Sequence, residues 1–181
     1  MPSLPIHYIE EKNLTASTEL AYWLRSYIRQ ICHPWNEIVF LCIGSDRVTG
    51  DSLGPLIGRE LSRYQWKDMY IYGTIFHPVH AMNLEYTWTE IKKKHPMALF
   101  IAIDASLGSE EHIGFITVGM GALQPGSGVQ KNLPEIGDIF ITGILNAAGA
   151  FEHLLLQTTS LSTVMQMAET ISDGIIRAFL F

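Results

Sequence analysis

The chain has 181 residues, of which 48% are hydrophobic, enough for one domain with a substantial core. Its 12 basic and 18 acidic residues give a net charge of -6, which argues against nucleic acid or an anionic membrane surface as a partner. Two cysteines are too few for a disulfide scaffold, and no apolar run reaches the length of a membrane span. We expect a soluble cytoplasmic protein without a signal peptide, with an N-terminal arm over residues 1–14 and a single α/β domain over 15–181.

Apolar residues at helical spacing alternate along the chain with short apolar runs that are typical of strands. In chain order we expect helix 15–31, strand 37–43, helix 52–64, strand 69–74, helix 81–94, strands 98–103, 114–118 and 138–142, and helices 149–156 and 160–179. Strands interleaved with helices predict a three-layer α/β/α sandwich. Because the last two strands have no helix between them, the sheet is predicted to be mixed and mostly parallel.

Two of the apolar strands lead into acidic turns. The strand 37–43 opens into a glycine-bounded polar loop that reaches Asp51 at the start of a helix, and the strand 98–103 ends at Asp104. If both strands are central and parallel, the two carboxylates face one crevice at the carboxyl edge of the sheet. Such a pair can activate water and protonate a leaving amine, or hold a divalent metal. Alternatively, Asp51 only caps a helix and Asp104 only ends a strand.

A loop rich in glycine and proline, over residues 123–136, is a second candidate for function. The amides of Gly126, Ser127 and Gly128 could hold an oxyanion or a peptide backbone, and Lys131 could place a charge at the same edge. The alternative for this segment is an ordinary turn.

Three further polar residues are candidates for substrate contacts. Ser45 and Asp46 lie in the loop that precedes the first acid, and Asn146 follows the strand 138–142. For Asn146, a structural capping role is the alternative.

The pattern His77-x-x-His80 raises the question of a metal site. Pro78 argues against a regular helix there, and no Cys or Glu lies nearby at the spacing of a zinc site, which favours a loop with a histidine at a helix start. A divalent metal held by Asp51, Asp104 and His80 stays an alternative. The motif G-x-S-x-G is absent, which argues against a serine hydrolase.

Four segments of the sequence resemble a known family. Residues 42–55 read Cys-Ile-Gly-Ser-Asp-Arg-Val-Thr-Gly-Asp-Ser-Leu-Gly-Pro. With Ile-Asp-Ala at 103–105, Pro-Gly-Ser-Gly-Val at 125–129 and Thr-Gly-Ile-Leu-Asn at 142–146, this segment resembles the YyaC-type sporulation proteins of endospore-forming bacteria. The resemblance extends over roughly residues 35–180.

More distantly, the same segments are similar to the germination protease that degrades small acid-soluble spore proteins, and to the hydrogenase maturation proteases. These resemblances imply catalytic aspartates at Asp51 and Asp104 and a twisted sheet between helical layers. Both protease families carry an Asn where this chain has Ser45. The third metal ligand of the maturation proteases, a histidine, has no clear counterpart, although Asn146 lies in the corresponding region.

The residues and the resemblance together predict a sporulation-associated endopeptidase that uses an aspartate pair on a protein or peptide substrate, in the cytoplasm of the mother cell or forespore. Small spore proteins are the expected substrates. The alternatives are a non-catalytic module that binds a spore protein and a metal-binding hydrolase or maturation-type protein on the same fold. The apolar tail 178–181 and the aromatic first helix make a homo-oligomer a further expectation.

Overall fold

A computed structural model of the chain describes residues 5–125, 133–149 and 152–180. Their strands are β1 (His7–Glu10), β2 (Glu37–Cys42), β3 (Met69–Tyr72), β4 (Ala98–Gly108), β5 (Phe115–Met120) and β6 (Ile139–Ala147). They form one sheet in the spatial order β1-β5-β6-β4-β2-β3. The pairs β2–β3, β2–β4 and β4–β6 are parallel, and the pairs β5–β6 and β1–β5 are antiparallel. The predicted mixed, mostly parallel sheet is confirmed.

Helices cover both faces of this sheet. They are α1 (Ala16–Gln30), α2 (Leu53–Leu61), α3 (Leu84–Lys94), α4 (Glu152–Thr158) and α5 (Leu161–Leu180), with short 3₁₀ turns at Gly50–Ser52 and Glu110–His112. Within the described ranges, no helix combines the length and apolar character that a membrane span requires.

Side-chain alternation along the central strands builds two cores. On β2, Phe40 and Cys42 pack into a core with α1, α2 and α5, whereas Val39 and Leu41 pack into a second core with α3. Because a strand buried on both faces needs apolar side chains at every position, β2 reads as a continuous apolar run. The architecture is therefore the predicted α/β/α sandwich.

The N-terminal segment differs from the predicted arm, because part of it belongs to the sheet. Residues His7–Glu10 form the edge strand β1, in which Ile9 pairs with Ile116 of β5 and is 1% exposed. This strand has four residues and buries only one of them, so its apolar pattern is too short to be recognised in the sequence.

A glycine allows α2 to approach the end of β2 at backbone distance. A Cβ atom on Gly54, in the first turn of α2, would lie 2.0 Å from the carbonyl oxygen of Ile43. No L side chain fits in that space, because real Cβ contacts with backbone atoms are much longer. The contact holds the start of α2, and the 3₁₀ turn that precedes it, against the carboxyl end of β2.

Gly54→Ala should therefore destabilise the fold although alanine is the better helix former. We expect the free energy of unfolding to fall by about 3 kcal/mol, since the backbone of β2 must move to relieve the overlap. Urea unfolding at equilibrium measures it. Gly149→Ala is the control, because Gly149 is exposed and an added Cβ there meets no atom within 4 Å. Equal losses in the two variants would contradict the interpretation.

Candidate active site

The first candidate acid, Asp51, lies in the 3₁₀ turn Gly50–Ser52 and is half-buried. The loop from β2 closes on this residue, because the N–H of Ser45 donates to the carbonyl oxygen of Asp51 at 3.0 Å. Gly44 makes the closure possible: its φ is +143°, and a Cβ there would lie 2.0 Å from the same oxygen. The glycine in the motif therefore fixes the backbone position of Asp51 beside the end of β2.

The second acid, Asp104, lies inside β4 and not at its end, which corrects the predicted strand 98–103. The pairing of β4 with β2 stops at Ile103, the partner of Cys42. The pairing of β4 with β6 continues from Asp104, opposite Thr142, to Gly108. Beyond Ile103, the strand is held from one side only. Asp104 is therefore the first residue of β4 that no longer pairs with β2.

Three hydroxyl groups lie on the same face of the sheet as Asp104. Ser106 follows two residues later on β4, and its Oγ donates to Oγ1 of Thr142 at 3.0 Å. Oγ1 of Thr142 is in turn 2.6 Å from Oγ1 of Thr117 on β5. Thr117 and Thr142 are both buried. These threonines were not candidates in the sequence, because only the register of β4, β5 and β6 brings them together.

Asp104 is a buried carboxyl group with an unusual proton affinity. Its residue is 7% exposed, and its Oδ1 accepts a hydrogen bond from the N–H of Ala105 at 2.8 Å. Burial and the nearby negative charge of Asp51 raise the pKa of Asp104 well above its ordinary value, and the Ala105 bond opposes that rise. Asp104 therefore keeps a proton at a pH where an ordinary aspartate has lost it, and Asp51 lies near enough to contribute to that shift.

The remaining predicted contacts have local roles or lie outside the described residues. Oγ of Ser45 accepts a hydrogen bond from the N–H of Arg47, and Asp46 is exposed. Asn146 joins β6 to α4, since its Nδ2 donates to the carbonyl of Leu155 at 3.3 Å. The substrate contacts of these three residues stay predictions.

Gly126, Ser127, Gly128 and Lys131 lie outside the described residues. The ends of their segment are held by a bridge in which the N–H of Leu123 and the carbonyl of Ile136 are 2.8 Å apart.

The suggested metal ligands do not fit a metal site. Nδ1 of His80 accepts a hydrogen bond from the N–H of Met82 at 3.2 Å, which engages one of the two ring nitrogens that could bind a metal. Asp51, Asp104 and His80 are all described, yet the described residues include no group of three His, Cys, Asp or Glu side chains arranged around a possible ion.

Comparison with solved structures finds a likeness to the NiFe hydrogenase maturation protease HycI from Thermococcus kodakarensis KOD1. The sequence identity is 20%, the TM-score is 0.44, and the match covers 77% of this chain and 92% of the other. A TM-score of this size carries no argument about activity.

Comparison at the sequence level finds a much nearer relative. The uncharacterized protein YyaC of Bacillus subtilis (strain 168) is 42% identical over 168 residues, which is 93% of this chain and 81% of that protein. The resemblance to YyaC-type proteins is thereby confirmed. The family described as a protein of unknown function, DUF1256, matches residues 7–174, and the chain belongs to that family.

Proposed function

We propose that this protein is an endopeptidase in which Asp51 and Asp104 hydrolyse a peptide bond by acid–base catalysis. The observation that carries the proposal is the buried carboxyl group of Asp104, which keeps its proton because Asp51 is near and water is excluded. Two interacting carboxyl groups with different proton affinities are the requirement for this chemistry. Their place at the carboxyl edge of parallel strands is where α/β proteins bind ligands.

The difference in proton affinity assigns a role to each acid. Asp51, in its ionised form, accepts a proton from a water molecule, and the resulting hydroxide forms a bond to the carbonyl carbon of the substrate. Asp104 gives its proton to the leaving nitrogen as the C–N bond breaks, which produces a carboxylic acid and a free amine. Transfer of the proton from Asp51 to Asp104 restores the starting state. The scheme needs no oxidant or second substrate.

A protein or peptide is the proposed substrate, and small acid-soluble spore proteins are the first to test. This choice is supported by the resemblance of the sequence motifs to the germination protease. The cytoplasm of a sporulating cell is the proposed setting. The alternative of a binding module makes a different prediction, because binding would then survive without cleavage.

Asp51→Asn and Asp104→Asn should each abolish cleavage of small acid-soluble spore proteins, detected by mass spectrometry. We expect losses of about 10²-fold or more, the usual contribution of a general acid or base. Asp68→Asn is the matched control. Asp68 is exposed and precedes β3, so it lies at the amino end of the parallel strands, away from the carboxyl end where Asp51 and Asp104 lie. Full activity in both acid variants would refute the proposal. Binding of the substrate without cleavage by the wild type would favour the binding module.

The buried carboxyl group also predicts how stability depends on pH. Above a pH of about 3.9, the unfolded chain loses a proton that the folded Asp104 still holds. The free energy of unfolding should therefore fall as pH rises, by about 1.4 kcal/mol per unit, until the folded Asp104 itself ionises. Asp104→Asn removes this pH-dependent loss of stability. The free energy of unfolding of the variant, relative to that of the wild type, should therefore increase from about pH 4 upward. A constant difference in urea unfolding across this range would contradict the assignment.

Asp51→Asn tests the interaction between the two acids directly. Removing the negative charge of Asp51 should lower the pKa of Asp104, because that charge is one of the two causes of its rise. The measurement is a titration of the Asp104 carboxyl carbon by ¹³C NMR in the wild type and the variant. An unchanged titration would show that the two carboxyl groups do not interact.

A further inference from the structure

A cavity of about 500 Å³ opens at the carboxyl end of β3, beside the candidate active site. Gly73 and Thr74 line it from the end of the strand, Pro78 and Val79 from the following loop, and Asn83 and Thr87 from the region of α3. None of these residues was a candidate in the sequence, where the segment 77–80 was read as a possible metal motif. The cavity has no role in the acid–base chemistry proposed above.

The cavity shares a sheet edge and a sheet face with Asp104. Val79 forms a parallel bridge with Ile43, and its carbonyl accepts the N–H of Gly44 at 2.8 Å. One wall of the cavity therefore adjoins the loop that carries the first acid. Val79 and Ala102 also belong to the same core on the α3 side, and Ala102 lies two residues before Asp104 on β4. Because alternate residues of a strand point to one face, Asp104 faces the cavity's side of the sheet.

The lining of the cavity selects against charged ligands. No Lys, Arg, Asp or Glu contributes to it among the described residues, and His77 is exposed. The amide of Asn83 is already engaged, since its Nδ2 donates to the carbonyl of Pro78 at 3.1 Å and its Oδ1 accepts the N–H of His80 at 2.8 Å. The described lining offers no Lys, Arg, Asp or Glu to pair with an ion, so burying a charge there would be costly. The apolar surface of Val79 and Pro78 favours an uncharged side chain instead.

The strand spacing places this cavity at a definite distance from the acids. The strand β2 separates β3 from β4, and neighbouring strands are about 4.8 Å apart, so the cavity lies roughly 10 Å from Asp104 across the sheet edge. An extended peptide advances about 3.3 Å per residue, which makes this span roughly three residues. We propose that the cavity is a specificity subsite, which binds a large uncharged side chain of the substrate about three residues from the bond that is cut. This inference rests on the proposed endopeptidase function.

Binding can be tested without any cleavage. N-acetylphenylalanine amide, N-acetyl-leucine amide and the corresponding glutamate and lysine amides are titrated into the ¹⁵N-labelled protein at millimolar concentration. We expect the two uncharged probes to shift the backbone resonances of Gly73, Val79 and Thr87, at an affinity about tenfold or more above that of the charged probes. Equal affinity for charged probes, or no shift with any probe, would overturn the proposal.

Larger side chains at Thr87, which lines the cavity, should block binding of the probes. Thr87→Trp, and Thr87→Met as a smaller replacement in case the first does not fold, should abolish the shifts caused by the uncharged probes. Thr89→Trp is the control, because Thr89 lies on the same helix, is exposed and does not line the cavity. Shifts that persist in both folded Thr87 variants would show that the probes bind elsewhere.

A peptide library separates this inference from the proposed function. If the wild type cleaves peptides, a preference for large uncharged residues about three positions from the cut should appear and should be lost in Thr87→Trp. Cleavage without that preference would overturn the subsite and leave the peptidase in place. Probe binding without cleavage of any peptide would overturn both the peptidase and the role of the cavity in it, while leaving the ligand class of the cavity intact.

Discussion

The close contact between the backbones of α2 and β2 is the constraint on which the candidate site depends. Gly54 lets the helix reach the carbonyl of Ile43, and Gly44 lets the intervening loop close on Asp51. A side chain at either glycine would push the acid away from the end of the strand. The backbone position of Asp51 is therefore set by backbone contacts and by the absence of two Cβ atoms.

The second requirement is the buried carboxyl group of Asp104, at the point where β4 stops pairing with β2. Asp104 follows the last residue of β4 that pairs with β2, and β6 holds the strand beyond that point. Burial disfavours the charged form, and the charge of Asp51 adds to this effect. Burying Asp104 lowers the stability of the fold at neutral pH. The same burial keeps on Asp104 the proton that the proposed reaction transfers to the leaving nitrogen. Such a local conflict with folding is expected at a functional site.

The two faces of the sheet are covered by different helices. On one face, α1, α2 and α5 pack against the larger core, and α3 covers the central strands on the other. Asp104 and the cavity beside β3 both lie on the α3 side of the sheet, near the carboxyl ends of β2 and β3. A chain that binds there would cross the ends of these strands. The same face thereby accommodates both the proposed chemistry and the proposed selection of substrate.

Apart from β1, the order of helices and strands could be predicted from the sequence, because apolar periodicity records which faces are buried. The short motifs also predicted that Asp51 follows a tight glycine turn and that Asp104 comes directly after an apolar run. The sequence could not show that β4 continues past Asp104, that Thr117 and Thr142 lie beside it, or that a cavity adjoins the loop before α3. These features depend on strand register and on contacts between residues far apart in the chain. Local patterns do not encode such contacts, and only the tertiary structure decided them.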